Sequence, residues 1–345
     1  IYQNNKDSTV VLTMYMKQST FTGDEEETLA GEASGIIMTA DGYIITNRHC
    51  VINEKAGDVP YSRIEVTLYN GTVYESAEII GTDSYSDLAV IRVNATDLQA
   101  AEFGDSSQVS PGDRVVAIGN AGGLRWTITQ GILSGVGRDV YEASDYAIKC
   151  LQVDAAINPG NSGGALVDSN GKLIGINTLI TSYSGNYSGV GFAIPVNYAV
   201  NIAQQIIEGK TPTHAQLGVS LSTVNSQNAK RYGLKVDSGA YISAVNSGSG
   251  AAEAGLEEGD IVTKFDGNSV SSASDLMLDV RSKNPGDKVT LEVNRNGDTK
   301  QIEVTLGSDE SSQSAATQQN SGSSSSEMLN RLLNNSGSSS KNDAA

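Results

Sequence analysis

Residues Asn158-Pro159-Gly160-Asn161-Ser162-Gly163-Gly164 set one hydroxyl in a run of glycines. Glycine tolerates positive φ and close backbone approach, so Ser162 can stand exposed on a tight turn while neighbouring N–H groups converge. The turn Gly160, Asn161, Ser162, and above all the N–H groups of Gly160 and Ser162, is a candidate cradle for the oxyanion of an attacked carbonyl. A serine hydroxyl needs a base, and the chain holds two histidines, His49 and His214. His49 closes an apolar run at 42–46 and an Asn47-Arg48 step. His214 follows Thr211-Pro212-Thr213 and reads as a solvated linker side chain. The base in turn needs an acid to fix its tautomer. Asp87 opens the apolar run 88–93, whereas Asp83 sits among turn residues and reads as surface. Singly each residue has a structural explanation; the order His49, Asp87, Ser162 is the chymotrypsin-like one.

Around these residues, short apolar runs at 9–16, 35–38, 43–46, 64–68, 114–118, 131–136, 172–177 and 190–194 alternate with Asp41-Gly42, Asn70-Gly71, Pro111-Gly112 and Asn170-Gly171. Such dipeptides are turn formers, and many short strands at this spacing predict a mostly β barrel or sandwich. Residues 195–208 read as a helix opened by Pro195 and stopped by Gly209, with Val196, Ala199, Val200, Ala203, Ile206 and Ile207 on one face. The expected organisation is a catalytic domain at 1–210, a small α+β domain at 211–307, and a disordered Ser-rich tail at 308–345, unable to bury enough apolar surface to fold. Within the tail, 327–334 (EMLNRLLN) is an amphipathic stretch too short to be a stable helix alone.

The segments Thr46-Asn47-Arg48-His49, Ser86-Asp87-Leu88-Ala89 and 154–164, with Gly175-Ile176-Asn177 and 191–195, closely resemble the HtrA (Deg) family of serine proteases. Ser238-Gly239-Ala240-Tyr241-Ile242, 251–262 and Asp266-Gly267 resemble the PDZ domain of the same proteases. The resemblance covers about residues 8–307. It implies a trypsin-like double β-barrel with the site in the cleft between barrels, followed by a PDZ domain whose carboxylate-binding loop is Leu217, Gly218, Val219. There a terminal carboxylate meets backbone N–H groups and the peptide adds a strand. It also implies homotrimers, and a primary specificity pocket lined by Ala156 and Ile157. Neither side chain can pair with a buried cation, so small or medium aliphatic residues are expected there. Cys50 follows the base where the family usually has Val. Trypsin-like enzymes bridge a cysteine at that place, but their partner position is here about Ser34. Asn161, not Asp, precedes the nucleophile, so Ile1 is not an activation terminus. Ordering of the oxyanion turn is therefore expected from loops 137–149 and 178–188, and coupling to the PDZ domain through 137–149.

The net charge of −17 argues against nucleic acid or anionic lipid as main partner. With 2 cysteines and 2 histidines, neither a disulfide framework nor a metal site is expected, and Cys50 and Cys150 read as free thiols without a catalytic part. No cofactor is expected. No apolar run reaches the roughly 18 residues of a membrane helix. The chain starts at Ile1, so a targeting or anchoring segment was removed or never existed. Extracytoplasmic location, on a bacterial cell surface, secreted or periplasmic, is expected. The leading reading is a quality-control endopeptidase acting on unfolded exported proteins. A chaperone or tethering scaffold and a narrow-specificity regulatory protease are the alternatives.

Overall fold

A computed structural model of the chain describes residues 1–19, 24–141, 147–180 and 189–309. It is mostly β, as expected. The first unit is a seven-stranded antiparallel sheet whose centre is the pair Thr9–Ser19 and Glu25–Ile37, running from Thr9 opposite Ile36 to Ser19 opposite Glu25. Tyr43–Asn47 and Leu88–Arg92 extend it. The second unit is a closed barrel of Arg114–Gly119, Thr127–Tyr141, Ala147–Val153, Gly191–Pro195, Leu173–Ile180 and Ala165–Val167, in that spatial order.

The strand Glu25–Ile37 is exposed along its first half and buried on both faces from Ala33 onward. The cause is its place at the seam. Ala33 and Ile37 pack in the core of the first sheet, while Ile36 enters a core shared with Val116, Ile118, Leu173 and Ile176 of the barrel. The helix Val196–Ile207, one residue inside the predicted ends, closes this shared core with Val196, Ala199, Ile202, Ala203 and Ile206. Pro195 precedes its first residue, where a missing N–H costs nothing. Gly81 permits the approach, because a Cβ there would stand 2.8 Å from Ile206 Cγ2. Helix and seam thus bind the two β units into one body.

The third unit has a sheet ordered Val219–Val224, Gly239–Val245, Ile261–Phe265, Lys288–Arg295, Asp298–Thr305, with Asn268–Ser269 paired to Ile261–Phe265. Leu276 and Val280 of the helix Ala273–Arg281 cover one face. Ala215–Gln216 pairs with Gly307–Ser308, so the folded chain runs past the expected boundary at 308. Asp309 belongs to it as well, since it accepts a hydrogen bond from His214 N–H at 2.8 Å. The rest of the expected tail, including 327–334, lies outside the described residues. Among the described residues no helix is long and apolar enough to cross a membrane.

Candidate active site

His49 sits on a single 3-10 turn, Arg48–Cys50, directly after the strand Tyr43–Asn47. Asp87 stands at φ 53° before the strand Leu88–Arg92, a left-handed conformation that aspartate tolerates better than most residues. Two bonds to the Asp87 carbonyl hold it there, from Arg48 N–H at 2.9 Å and Asn47 Nδ2 at 3.0 Å. Its buried carboxylate then takes three donors. Oδ1 accepts His49 N–H at 3.0 Å, and Oδ2 accepts His49 Nδ1 at 2.8 Å and Thr178 Oγ1 at 3.0 Å. An ionised carboxylate has no proton to give, so Nδ1 carries the hydrogen, and in the neutral ring Nε2 keeps the lone pair.

Ser162 lies on the turn between the barrel strands Ala147–Val153 and Ala165–Val167. Its hydroxyl donates to the Thr178 carbonyl at 2.9 Å; among the described residues no hydrogen bond joins it to His49. The structure therefore brings His49 and Asp87 into direct contact and Ser162 to the same strand end, with Thr178 touching both Asp87 and Ser162. Thr178 entered the sequence reading only as the first residue of the loop 178–188; it lies instead within the strand Leu173–Ile180, buried beside Asn177.

The oxyanion turn is held from directions the sequence did not predict. The Pro159 carbonyl accepts Gly122 N–H at 2.8 Å. A trans peptide sets its N–H opposite its C=O, so this bond turns Gly160 N–H the other way. Among the described residues, neither Gly160 N–H nor Ser162 N–H has an acceptor. Asn161 N–H is spent on the Asn158 carbonyl at 2.9 Å, which removes it from the expected cradle. Gly160 has φ 99°, and a Cβ there would stand 2.1 Å from the Asn120 carbonyl oxygen. Gly163, at φ 77°, leaves no more room: its Cβ would stand 2.1 Å from Thr46 Oγ1. Of the loops expected to order the turn, only flanks are described, since 142–146 and 181–188 lie outside the described residues.

Ala156 is half-buried, and Ile157 is buried in the barrel core. A Cβ on Gly191 would lie 2.6 Å from Ile157 Cγ1. Of the two residues expected to line the pocket, Ala156 alone keeps an exposed face. In the third unit Val219–Val224 is an edge strand, hydrogen-bonded on one side to Gly239–Val245. Gly218 precedes it at φ 78°, and Leu217 is buried with its carbonyl bound to Ala251 N–H at 3.1 Å.

Two readings are overturned. His214 is not solvated: it is 2% exposed, with Nε2 3.1 Å from Asp83 Oδ2 and Nδ1 3.3 Å from Asp309 Oδ2. Asp83 is not on the surface, because it caps the turn before Asp87 by accepting Ser86 N–H at 3.1 Å and the Ser86 hydroxyl. A buried carboxylate stays charged only if paired, and His214 supplies the pair. Cys50 and Cys150 are both buried, in separate clusters, and no disulfide joins them.

Comparison with known proteins agrees with this geometry. Residues 33–176 match the trypsin-like peptidase domain, and residues 215–306 match the PDZ domain. The solved structure of the HtrA-type protease AlgW with a decapeptide is 34% identical, with a TM-score of 0.65, covering 89% of this chain and 98% of that one. The chain belongs to the HtrA family of serine proteases. Among curated HtrA relatives it is 42% identical over 277 residues to the probable periplasmic serine endoprotease DegP-like of Chlamydia trachomatis, covering 80% of this chain. It is 40% identical over 294 residues to the periplasmic serine endoprotease DegP of Escherichia coli, covering 85%. The chain spans 54% and 60% of the length of these two relatives.

The HtrA site also has an electrostatic signature. Burial alone would lower the His49 pKa, but the neighbouring Cys50 sulfur and the Asp87 carboxylate outweigh it and raise the pKa well above 6.5. Were His49 the base it would have to be neutral, so activity would be lost as pH falls through this raised value. The acid limb of kcat/KM is expected to have its midpoint above 6.5, and Asp87→Asn should move it downward. A wild-type midpoint at or below 6.5 would contradict the assignment of His49 and Asp87.

Proposed function

We propose that this chain is a serine endopeptidase of protein quality control, cleaving unfolded or misfolded exported proteins outside the cytoplasm. The observation that carries the reading is the pair of unspent N–H groups at Gly160 and Ser162, set beside the Ser162 hydroxyl with His49 fixed by Asp87. Ser162 Oγ attacks the scissile carbonyl carbon and its proton passes to His49 Nε2. The resulting oxyanion takes the N–H groups of Gly160 and Ser162. Collapse of the tetrahedral adduct breaks the C–N bond as His49 gives the proton to the leaving amine, and water then hydrolyses the acyl-enzyme by the same route. The hydroxyl first leaves the Thr178 carbonyl by rotation about its Cα–Cβ bond; contacts that loosen in the free enzyme commonly tighten with substrate.

The PDZ unit, in this reading, binds peptide carboxyl termini along the edge strand Val219–Val224, with Leu217, Gly218 and Val219 at the carboxylate. Support comes from the free strand edge and from a solved relative described as holding a decapeptide. The ion pair Lys149–Asp279, at 2.9 Å, links the barrel to the PDZ helix Ala273–Arg281, and supports a route by which an occupied PDZ unit acts on the site. The periplasmic naming of the relatives supports the location, and assembly as a homotrimer belongs to the same reading.

The test is digestion of unfolded casein beside a stable folded protein, with mass-spectrometric mapping of the cuts. Cleavage of the unfolded substrate alone, after Val, Ala, Ile or Leu, is expected, since a Lys or Arg at Ala156 would lose its solvation uncompensated. Cuts mainly after Lys and Arg would refute the specificity, and binding without cleavage would favour a scaffold.

A further inference from the structure

Ser34 is a fully buried serine on the strand Glu25–Ile37, at the seam between the two β units. Every polar atom it has is used. Its N–H donates to the Ser162 carbonyl at 2.9 Å and its carbonyl accepts Thr46 Oγ1 at 2.7 Å. Its hydroxyl donates to the Gly160 carbonyl at 2.8 Å and accepts Asn120 N–H at 3.0 Å. One residue of the first sheet therefore grips the nucleophile turn on both sides of Asn161, and at the same time anchors the turn at 120–123 whose Gly122 N–H orients the Gly160 peptide.

The surroundings are shaped around this hydroxyl. A Cβ on Gly119 would lie 2.9 Å from Ser34 Oγ, and one on Gly164 would lie 3.2 Å from Ser34 Cβ. The anchored turn is held a second time, by Asn120 Nδ2 donating to Glu32 Oε2 at 3.0 Å, with Arg125 on the other Glu32 oxygen at 3.4 Å. Asn161 has no charge with which to fix the turn. Its Nδ2 reaches the Ala156 carbonyl at 3.4 Å, and its Oδ1 is buried without a partner among the described residues. Without the Ser34 hydroxyl, the Gly160 carbonyl keeps only Asn120 N–H, at 3.4 Å.

We propose that Ser34 is a positioning residue of the oxyanion cradle, its hydroxyl setting the Gly160 peptides so that Gly160 N–H meets the developing charge. This rests on the protease reading above. Ser34 touches no substrate; it acts through Gly160. A donor aimed at the transition state affects kcat, and a mis-aimed one loses part of the 10²–10³-fold that removing such a donor costs. Ground-state binding, made elsewhere in the cleft, is left alone.

Ser34→Ala keeps the backbone bond to Ser162 and removes only the hydroxyl. With a chromogenic peptide, kcat should fall about 10-fold or more while KM stays within about 2-fold. A peptide boronate, whose adduct places an oxygen in the cradle, should lose affinity by a similar factor. Should Ser34→Ala fail to fold, Glu32→Ala, which frees Asn120 Nδ2, should give a smaller loss with the same split. Unchanged kcat in a folded variant, or kcat and KM shifting together with boronate affinity intact, would overturn the role of Ser34. A wild type that turns over no peptide and binds no boronate would sink the protease reading itself, a separate result.

Discussion

Casein cleavage by Ser162→Ala is expected to fall by about 10⁴-fold or more, and His49→Ala to fall as far. The reason is that the proposed triad acts as one unit. Without Oγ there is no acyl-enzyme, and without Nε2 the Ser162 proton has no acceptor within reach. The melting temperature of Ser162→Ala should stay near that of the wild type. The lost hydroxyl makes one hydrogen bond, to the Thr178 carbonyl, while the turn keeps its backbone bonds from Gly163 N–H to Asn177 and from Gly164 N–H to Asn161. A residual rate within 100-fold of the wild type, in protein free of contaminating protease, would remove Ser162 from the role of nucleophile. Gly163→Ala makes the contrast, since its Cβ would strike Thr46 and the Ser34 carbonyl. That variant should lose stability as well as activity.

His49, Asp87 and Ser162 could be named as candidates from the sequence because each sits beside a local signal: a strand end, an apolar run, a glycine turn. The β architecture and the helix Val196–Ile207 were legible for the same reason, as their patterns close within a dozen residues. What was not legible is long-range. Thr178 reaches Asp87 across 91 positions, and Ser34 reaches Gly160 across 126. Both are small hydroxyl residues on apolar strands, where their solvent-free bonding shows only once the strands are paired. The misreading of His214 has the same origin. Proline and threonines before it signal an exposed linker, and its two carboxylate partners stand 131 and 95 positions away.

That histidine supports a second large expectation. Its ring nitrogens face Asp83 and Asp309, its N–H donates to Asp309, and the rings of Tyr85 and Tyr198 flank it at 4.9 and 6.5 Å. Arg281, whose guanidinium lies 5.2 Å from the Tyr85 ring, adds a positive charge behind that ring. Burial alone would lower the His214 pKa, but bonds to Asp309 and Asp83 outweigh it and raise the pKa to about 9. A folded value above the ordinary 6.5 means that protonation favours the folded state. The contribution is complete below about pH 6.5, declines as pH rises, and is gone above about pH 9. Its size is on the order of 3 kcal/mol. His214→Ala leaves the buried Asp83 carboxylate without its charged partner, so it should cost about 3 kcal/mol at pH 6.5. The wild type should lose melting temperature between pH 6.5 and 9.5, and the variant should lose much less. Parallel melting curves across that range would show that His214 is not charged in the folded protein. The consequence reaches the site, because Asp83 also holds Ser86, the neighbour of Asp87. A chain whose PDZ linker is anchored by this pair carries Asp87, the carboxylate proposed to orient His49, on the same short turn.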